Sequence, residues 1–132
     1  MGNYLPAVKT GNLVFISGQL PKVEGKVAFR GRVGKDVNLE TARRAARACV
    51  INALAVLQQE LGQLDRIKQI VRVGGFINSY PGFYDQAKVM DGASDLLVEI
   101  FGDRGRHTRV AVGVVELPLG AAVEIEMVVE VR

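Results

Sequence analysis

The sequence predicts an α+β fold, a two-layer sandwich with one mixed β-sheet and two helices on one of its faces. Three observations carry this. Two long stretches place apolar residues at helical spacing. Several shorter stretches are rich in Val, Ile and Phe and are bounded by Gly, Pro or Asn. Their order along the chain is β-β-(β)-α-β-α-β-β, which puts two helices against one sheet. A length of 132 residues fits one domain spanning 1–132. No repeat of fixed period and no linker interrupts it.

In chain order, "YLPAVKTGNLVFISGQ" (4–19) reads as a β-hairpin. Residues 4–9 and 13–17 are its arms and "TGN" its turn. Gly18-Gln19-Leu20-Pro21 is expected to break the second arm. The glycine-rich, basic "KVEGKVAFRGRVGKD" leaves room for one short strand around 27–29. The first helix lies in "NLETARRAARACVINALAVLQQELG". Asn38 is a good N-cap and Glu40 sits where the helix dipole favours an anion. Ala42, Ala45, Ala46, Cys49, Ala53, Val56 and Leu57 form its apolar stripe; Arg43, Arg44 and Arg47 take the other side. Gly62 is the expected stop. The alanines imply close approach to a sheet.

A strand follows in "IKQIVRVGGFINS", where Gly74-Gly75 predicts a bulge or a close backbone contact. "SYPG" is a turn. "FYDQAKVMDGASDLLVEIFG" is the second helix, weakened or kinked at Gly92 and ended at Gly102. A short basic loop leads to the last two strands, expected to form a hairpin.

Composition narrows the function classes. With 48% hydrophobic and 23% charged residues, a packed core is expected and disorder is not. No apolar run reaches the roughly 18 residues of a membrane span, and the N-terminus lacks the basic n-region of a signal peptide. A cytoplasmic protein is the expectation. Cys49 falls in the helical stripe and reads as a small core hydrophobe. A net charge of +3 is a mild excess, and aromatics at 6% with no Trp leave few stacking platforms for nucleic acid. The basic runs at 30–35 and 103–109 read as solvated loops.

The last strand pair, "TRVAVGVVELPLGAAVEIE", poses the functional question. Alternation puts Val110, Val112 and Val114 on one face, expected to be the helix-packed core. Arg109, Ala111, Gly113 and Val115 take the other. In the last strand Val123, Ile125, Met127, Val129 and Val131 face the core; Glu124, Glu126, Val128 and Glu130 oppose it. Arg109 and Glu124 are both expected away from the core. Small neighbours around Arg109 leave room for another surface, with a second subunit as the expected cover. A partly desolvated arginine there needs an anion, from the protein or from a ligand. A plain cross-strand pair of Arg109 with Glu124 or another glutamate is the alternative.

Two stretches, "YLPAVKTGNLVFISGQLP" and "TRVAVGVVELPLGAAVEIEMVVEV", resemble the RidA/YjgF family, also called endoribonuclease L-PSP or reactive intermediate/imine deaminase. The resemblance covers nearly the whole chain. It implies a chorismate-mutase-like fold and a homotrimer with three clefts between subunits. The family arginine matches Arg109, which in deaminating relatives grips the substrate carboxylate. The family glutamate matches Glu124, the residue that holds or activates water. Tyr4, Ser17, Gly18 and Gln19 match residues lining the cleft. Ala111 stands where the deaminases often carry cysteine. The implied reaction is hydrolysis of enamines and imines of 2-keto acids to the keto acid and ammonia, as in 2-iminobutanoate/2-iminopropanoate deaminases.

A forked guanidinium suits a planar carboxylate, and a nearby carboxyl suits a water-derived proton. No metal or organic cofactor is implied. The lone His107 reads as a loop residue. Thr108-Arg109-Val110 replaces the family's "ARS". The segment 79–92 is insertion-like, and Asp91 stands where many relatives have asparagine; both mark a divergent branch. An aspartate there would repel an anionic substrate. The competing reading is a non-catalytic small-carboxylate binding protein of the same fold. An endoribonuclease is a third, disfavoured by mild charge and the lack of a histidine pair. No membrane partner is expected.

Overall fold

Asn38 starts the first helix as its position predicts. Its Oδ1 accepts a hydrogen bond from the Thr41 amide at 2.8 Å, satisfying one of the amides a helix start leaves unpaired. In a computed structural model, which describes residues 2–132, this helix (α1) runs Leu39–Leu61. It stops at Gly62, whose φ of 84° lies in the left-handed region that favours glycine. Ala42, Ala45, Ala46, Cys49, Ala53 and Leu57 are buried, and Arg44 and Arg47 are exposed, as the stripe requires. The second helix (α2) runs Gln86–Phe101 without interruption at Gly92. The expected kink is absent. A side chain at Gly92 would stand 2.5 Å from the Arg43 carbonyl, so the glycine instead lets the two helix backbones approach.

The strands follow the same logic, with four differences. β1 (Ala7–Thr10) and β2 (Leu13–Gln19) form the first hairpin around Gly11-Asn12. β2 does stop within Gly18-Gln19-Leu20-Pro21, but at Gln19, two residues beyond the expected arm. Ser17 and Gly18 form a bulge, because Ile16 pairs with Met127 and Gln19 with Ile125. The single strand expected at 27–29 is a small separate hairpin, β3 (Lys22–Val23) and β4 (Lys26–Val27), turned at Glu24 and Gly25, both at positive φ. β5 (Ile67–Asn78) is longer than expected, and its register shifts fall before Arg72, not at Gly74-Gly75. Gly75 is a close-contact glycine, packed on the thioether of Met90.

The fourth difference concerns β6 (Thr108–Val114) and β7 (Val123–Val131). They are not a hairpin. The sheet order is β1-β2-β7-β5-β6, so β5 lies between them. β6 runs parallel to β5, which a crossover through α2 permits; β7 runs antiparallel to both β5 and β2. Register then sets the faces. Arg109, Ala111 and Gly113 pair with Val73, Gly75 and Ile77, which in turn pair with the buried Met127, Ile125 and Val123. All of these face the helices.

The β6 expectation is therefore reversed: Val110, Val112 and Val114 share the open face with Phe76 and Asn78. The small residues of β6 make room for the chain's own α2 and the segment before it. A side chain at Gly113 would stand 2.8 Å from Gln86 Nε2 and 3.0 Å from Ser79 Oγ. The β7 assignment holds, with Val123, Ile125, Met127, Val129 and Val131 all buried.

The core is a single cluster between sheet and helices, including Leu57, Ile70, Met90, Leu97, Ile125 and Met127. Each such side chain is worth roughly 1.5–3 kcal/mol of burial. The opposite sheet face stays partly apolar and uncovered: Val8, Phe15 and Val112 are all exposed. No helix among the described residues is long and apolar enough to cross a membrane.

Candidate functional site

The β2 bulge builds the first part of the site. It turns Gly18 toward β7, where the Glu124 carboxylate lies directly against it. A Cβ at residue 18 would collide with Glu124 Oε2. The adjoining groups are tied in place. Ser17 Oγ donates to the Leu5 carbonyl at 2.6 Å, and Gln19 Nε2 donates to the Ser17 carbonyl at 2.9 Å. Asn52 Nδ2 on α1 donates to the carbonyls of Leu20 and Lys22, at 2.9 and 3.1 Å, and fixes the chain beyond the bulge.

An open cleft of about 570 Å³ results, lined by Tyr4, Ser17, Gly18, Gln19, Leu119 and Glu124 among others. That is within the usual range for small-ligand sites. Leu119 rims it at φ 59°, an uncommon backbone for a non-glycine residue. Nothing in the hydropathy pattern pointed to it.

Glu124 is half-buried, and its pKa is raised: burial disfavours the carboxylate, and the nearby Glu126 adds repulsion. A carboxyl poised in this way can both take and return a proton. Glu126 leans toward Arg72 at 3.9 Å. Cys49 is fully buried, its Sγ 3.5 Å from the Val123 carbonyl; burial, then the charge of Glu124, pushes its thiol up and leaves it inert.

Arg109 lies elsewhere. On the helix side of the sheet, its Nη1 donates to Asp91 Oδ1 at 2.9 Å and to Ser94 Oγ at 3.1 Å. Its side chain is 24% exposed and that of Asp91 47%. The alternative, a cross-strand pairing with Glu124, does not occur, since β5 separates the strands and the two residues face opposite ways. Ala111 packs against the core beneath α2 and lines no cleft with Arg109.

The structure thus brings Tyr4, Ser17, Gly18, Gln19 and Glu124 together and sets Arg109 and Ala111 apart. His107 is in the loop before β6, as its sequence context predicts, with Nε2 2.9 Å from Ser94 Oγ. Ser94 was not anticipated. Its only sequence signal is its spacing of three residues from Asp91 on α2, which puts both on one helix face.

A five-stranded mixed sheet backed by two helices, with a cleft at a bulged strand end, defines the chorismate-mutase-like class. The chain belongs to the family described as "YjgF/chorismate mutase-like, putative endoribonuclease", whose model matches residues 1–131. It is 43% identical over 131 residues to Protein TCP17 of Trypanosoma cruzi, covering 98% of this chain and 82% of that protein. The crystal structure of protein Atu1372 from Agrobacterium tumefaciens superposes with a TM-score of 0.97 at 44% identity, over 98% of this chain and 82% of that one. The YjgF gene product of E. coli shares the fold at TM-score 0.69 and 20% identity, over 100% of this chain and 91% of that one.

Proposed function

We propose that this chain hydrolyses small enamine and imine derivatives of 2-keto acids, at a composite site between copies in a homotrimer. Glu124 and its cleft come from one copy, and Arg109 comes from a neighbour. The observation that carries this reading is the Glu124 carboxyl, held against Gly18 in an open cleft with its pKa raised. Arg109 of the same chain faces the other side of the sheet, so a second copy is needed to join the two groups. The exposed Val8, Phe15 and Val112 give such a copy an apolar face to cover.

In the reaction, the neighbour's guanidinium holds the substrate carboxylate and fixes the imine carbon near Glu124. Glu124 takes a proton from water as its oxygen adds to that carbon. The carbinolamine collapses after the nitrogen is protonated, releasing ammonia and the keto acid. No step calls on a metal or organic cofactor.

Purified protein should speed keto-acid release from an amino-acid oxidase or threonine dehydratase reaction trapped with semicarbazide. Mixing inactive Arg109→Ala and Glu124→Gln chains under subunit exchange should restore part of the activity, because mixed assemblies contain some intact sites. No acceleration across a panel of imino acids overturns the activity. Single variants that are inactive alone and recover nothing after subunit exchange overturn the composite site.

A binding protein without turnover is the second reading, favoured by the Asp91–Arg109 pair, which already satisfies part of the fork. Calorimetry showing keto-acid binding with no catalysis would select it.

A further inference from the structure

Ser94 and His107 meet on the helix side of the sheet, away from the Glu124 cleft. Ser94 Oγ is 2.9 Å from His107 Nε2, and His107 Nδ1 is 2.6 Å from the Gly105 carbonyl. A carbonyl only accepts, so Nδ1 carries the proton. In the neutral ring Nε2 is then the acceptor, and the Ser94 hydroxyl donates to it. Arg109 Nη1 donates to the same hydroxyl oxygen at 3.1 Å. A hydroxyl within reach of a base, the base oriented by a third group and a cation beside the oxygen are the parts of an activated serine.

The histidine is held independently of the serine. Buried Gly105 packs so closely on the Leu97 carbonyl of α2 that a side chain there would collide with it. Arg104 Nη1 donates to the Ile67 carbonyl at 2.5 Å, and Gln69 Nε2 donates to the Arg106 carbonyl. The loop from Gly102 to His107 is thus fastened to α2 and β5 on both sides of Gly105, the residue that orients the imidazole. The pair opens to solvent in a shallow surface depression of about 400 Å³ lined by Ser94, Val98, Arg106, His107 and Arg109. None of these residues lines the Glu124 cleft of the same chain.

We propose that Ser94 and His107 form an acyl-transfer site for small carboxylic esters, sharing Arg109 with the composite site proposed above; a label on Ser94 reports on it independently of imine hydrolysis. Ser94 Oγ attacks the ester carbonyl carbon while its proton passes to His107 Nε2. The π pair moves onto the carbonyl oxygen, with Arg109 as the adjacent cation. Collapse breaks the bond to the leaving oxygen, which takes the proton from His107 and departs as the alcohol. Water, deprotonated by the same nitrogen, then hydrolyses the acyl-serine, releasing the acid and restoring the hydroxyl.

The test uses the full chain, a fluorophosphonate probe and p-nitrophenyl acetate. The expected result is one covalent label, mapped by peptide mass to Ser94, and ester turnover that disappears in Ser94→Ala. His107→Gln, with an unchanged circular dichroism spectrum, should label about 100-fold more slowly or worse. Absence of label, label on another residue or equal labelling of Ser94→Ala overturns the proposal. So does undiminished labelling of His107→Gln, which would make the pair a brace for the loop. If Ser94→Ala fails to fold, the mapped position on the unaltered chain decides.

Discussion

β6 and β7 carry much the same residues, yet the fold uses them oppositely. β7 is flanked on both sides, by β2 and β5, and alternates buried and half-buried along its whole length. β6 is an edge strand with no fully buried residue. Alternation in a central strand names its inner face, because the large apolar side chains have one place to go. In an edge strand it does not. The three valines of β6 lie on the open face, and the face under α2 carries Arg109, Ala111 and Gly113. Side-chain size decides here: α2 comes so close that small residues fit below it, and the arginine reaches out to Asp91 and Ser94 at its margin. A rule that puts the bulkier apolar residues inside inverts this strand.

The contrast can be broken or sharpened experimentally. The largest effect is expected from Arg109→Ala, with a loss of about 10³-fold or more in imine hydrolysis, equivalent to about 4 kcal/mol of transition-state stabilisation. The melting temperature should change little, and activity close to that of the unaltered protein would remove the arginine from the site.

Met127→Ala, deleting a fully buried β7 side chain, should cost about 2–5 kcal/mol in a denaturant titration. Glu124→Gln should lower turnover about 10²-fold or more. Its stability effect has the opposite sign. Burial favours the protonated carboxyl in the folded chain, so ionising Glu124 destabilises the fold. That penalty is absent below the unfolded glutamate value of about 4.3 and complete once pH exceeds the raised folded value. Glu124→Gln should therefore be the more stable protein at neutral pH, with the gain vanishing in acid, as read from melting curves across pH.

Asp91→Asn should lower KM for a carboxylate substrate several-fold by freeing the Arg109 fork, with kcat little changed; a raised KM would make Asp91 a positioning residue. The smallest effect is expected from Val112→Thr on the open face of β6. Within one chain it should shift stability by less than about 0.5 kcal/mol. A weakened assembly on size-exclusion chromatography would show that a copy covers this face.

Much of the fold was legible locally. The Asn38 cap, the alanine stripe and the Gly62 stop specify α1, because capping and 3.6-residue periodicity act within a few turns. The β7 pattern was legible for the same reason. Gly92 was misread because its role depends on the Arg43 backbone of another helix. The candidate site divides the same way. Tyr4, Ser17, Gly18, Gln19 and Glu124 were named through the family resemblance, and the β2 bulge brings them to one cleft. The Ser94–His107 contact was invisible, since the two residues meet only through the fastened loop before β6.

The sequence by itself determined the two helices and the longer strands, where α1 begins and ends, and which residues of β7 are buried. These follow from spacing, propensity and capping. Only the tertiary structure decided that β5 separates β6 from β7 and that Arg109 faces the helices, on the opposite side of the sheet from Glu124. Strand order and register are set by how distant segments pack, and pairing β6 with β5 instead of β7 reverses the faces of β6 without changing a residue.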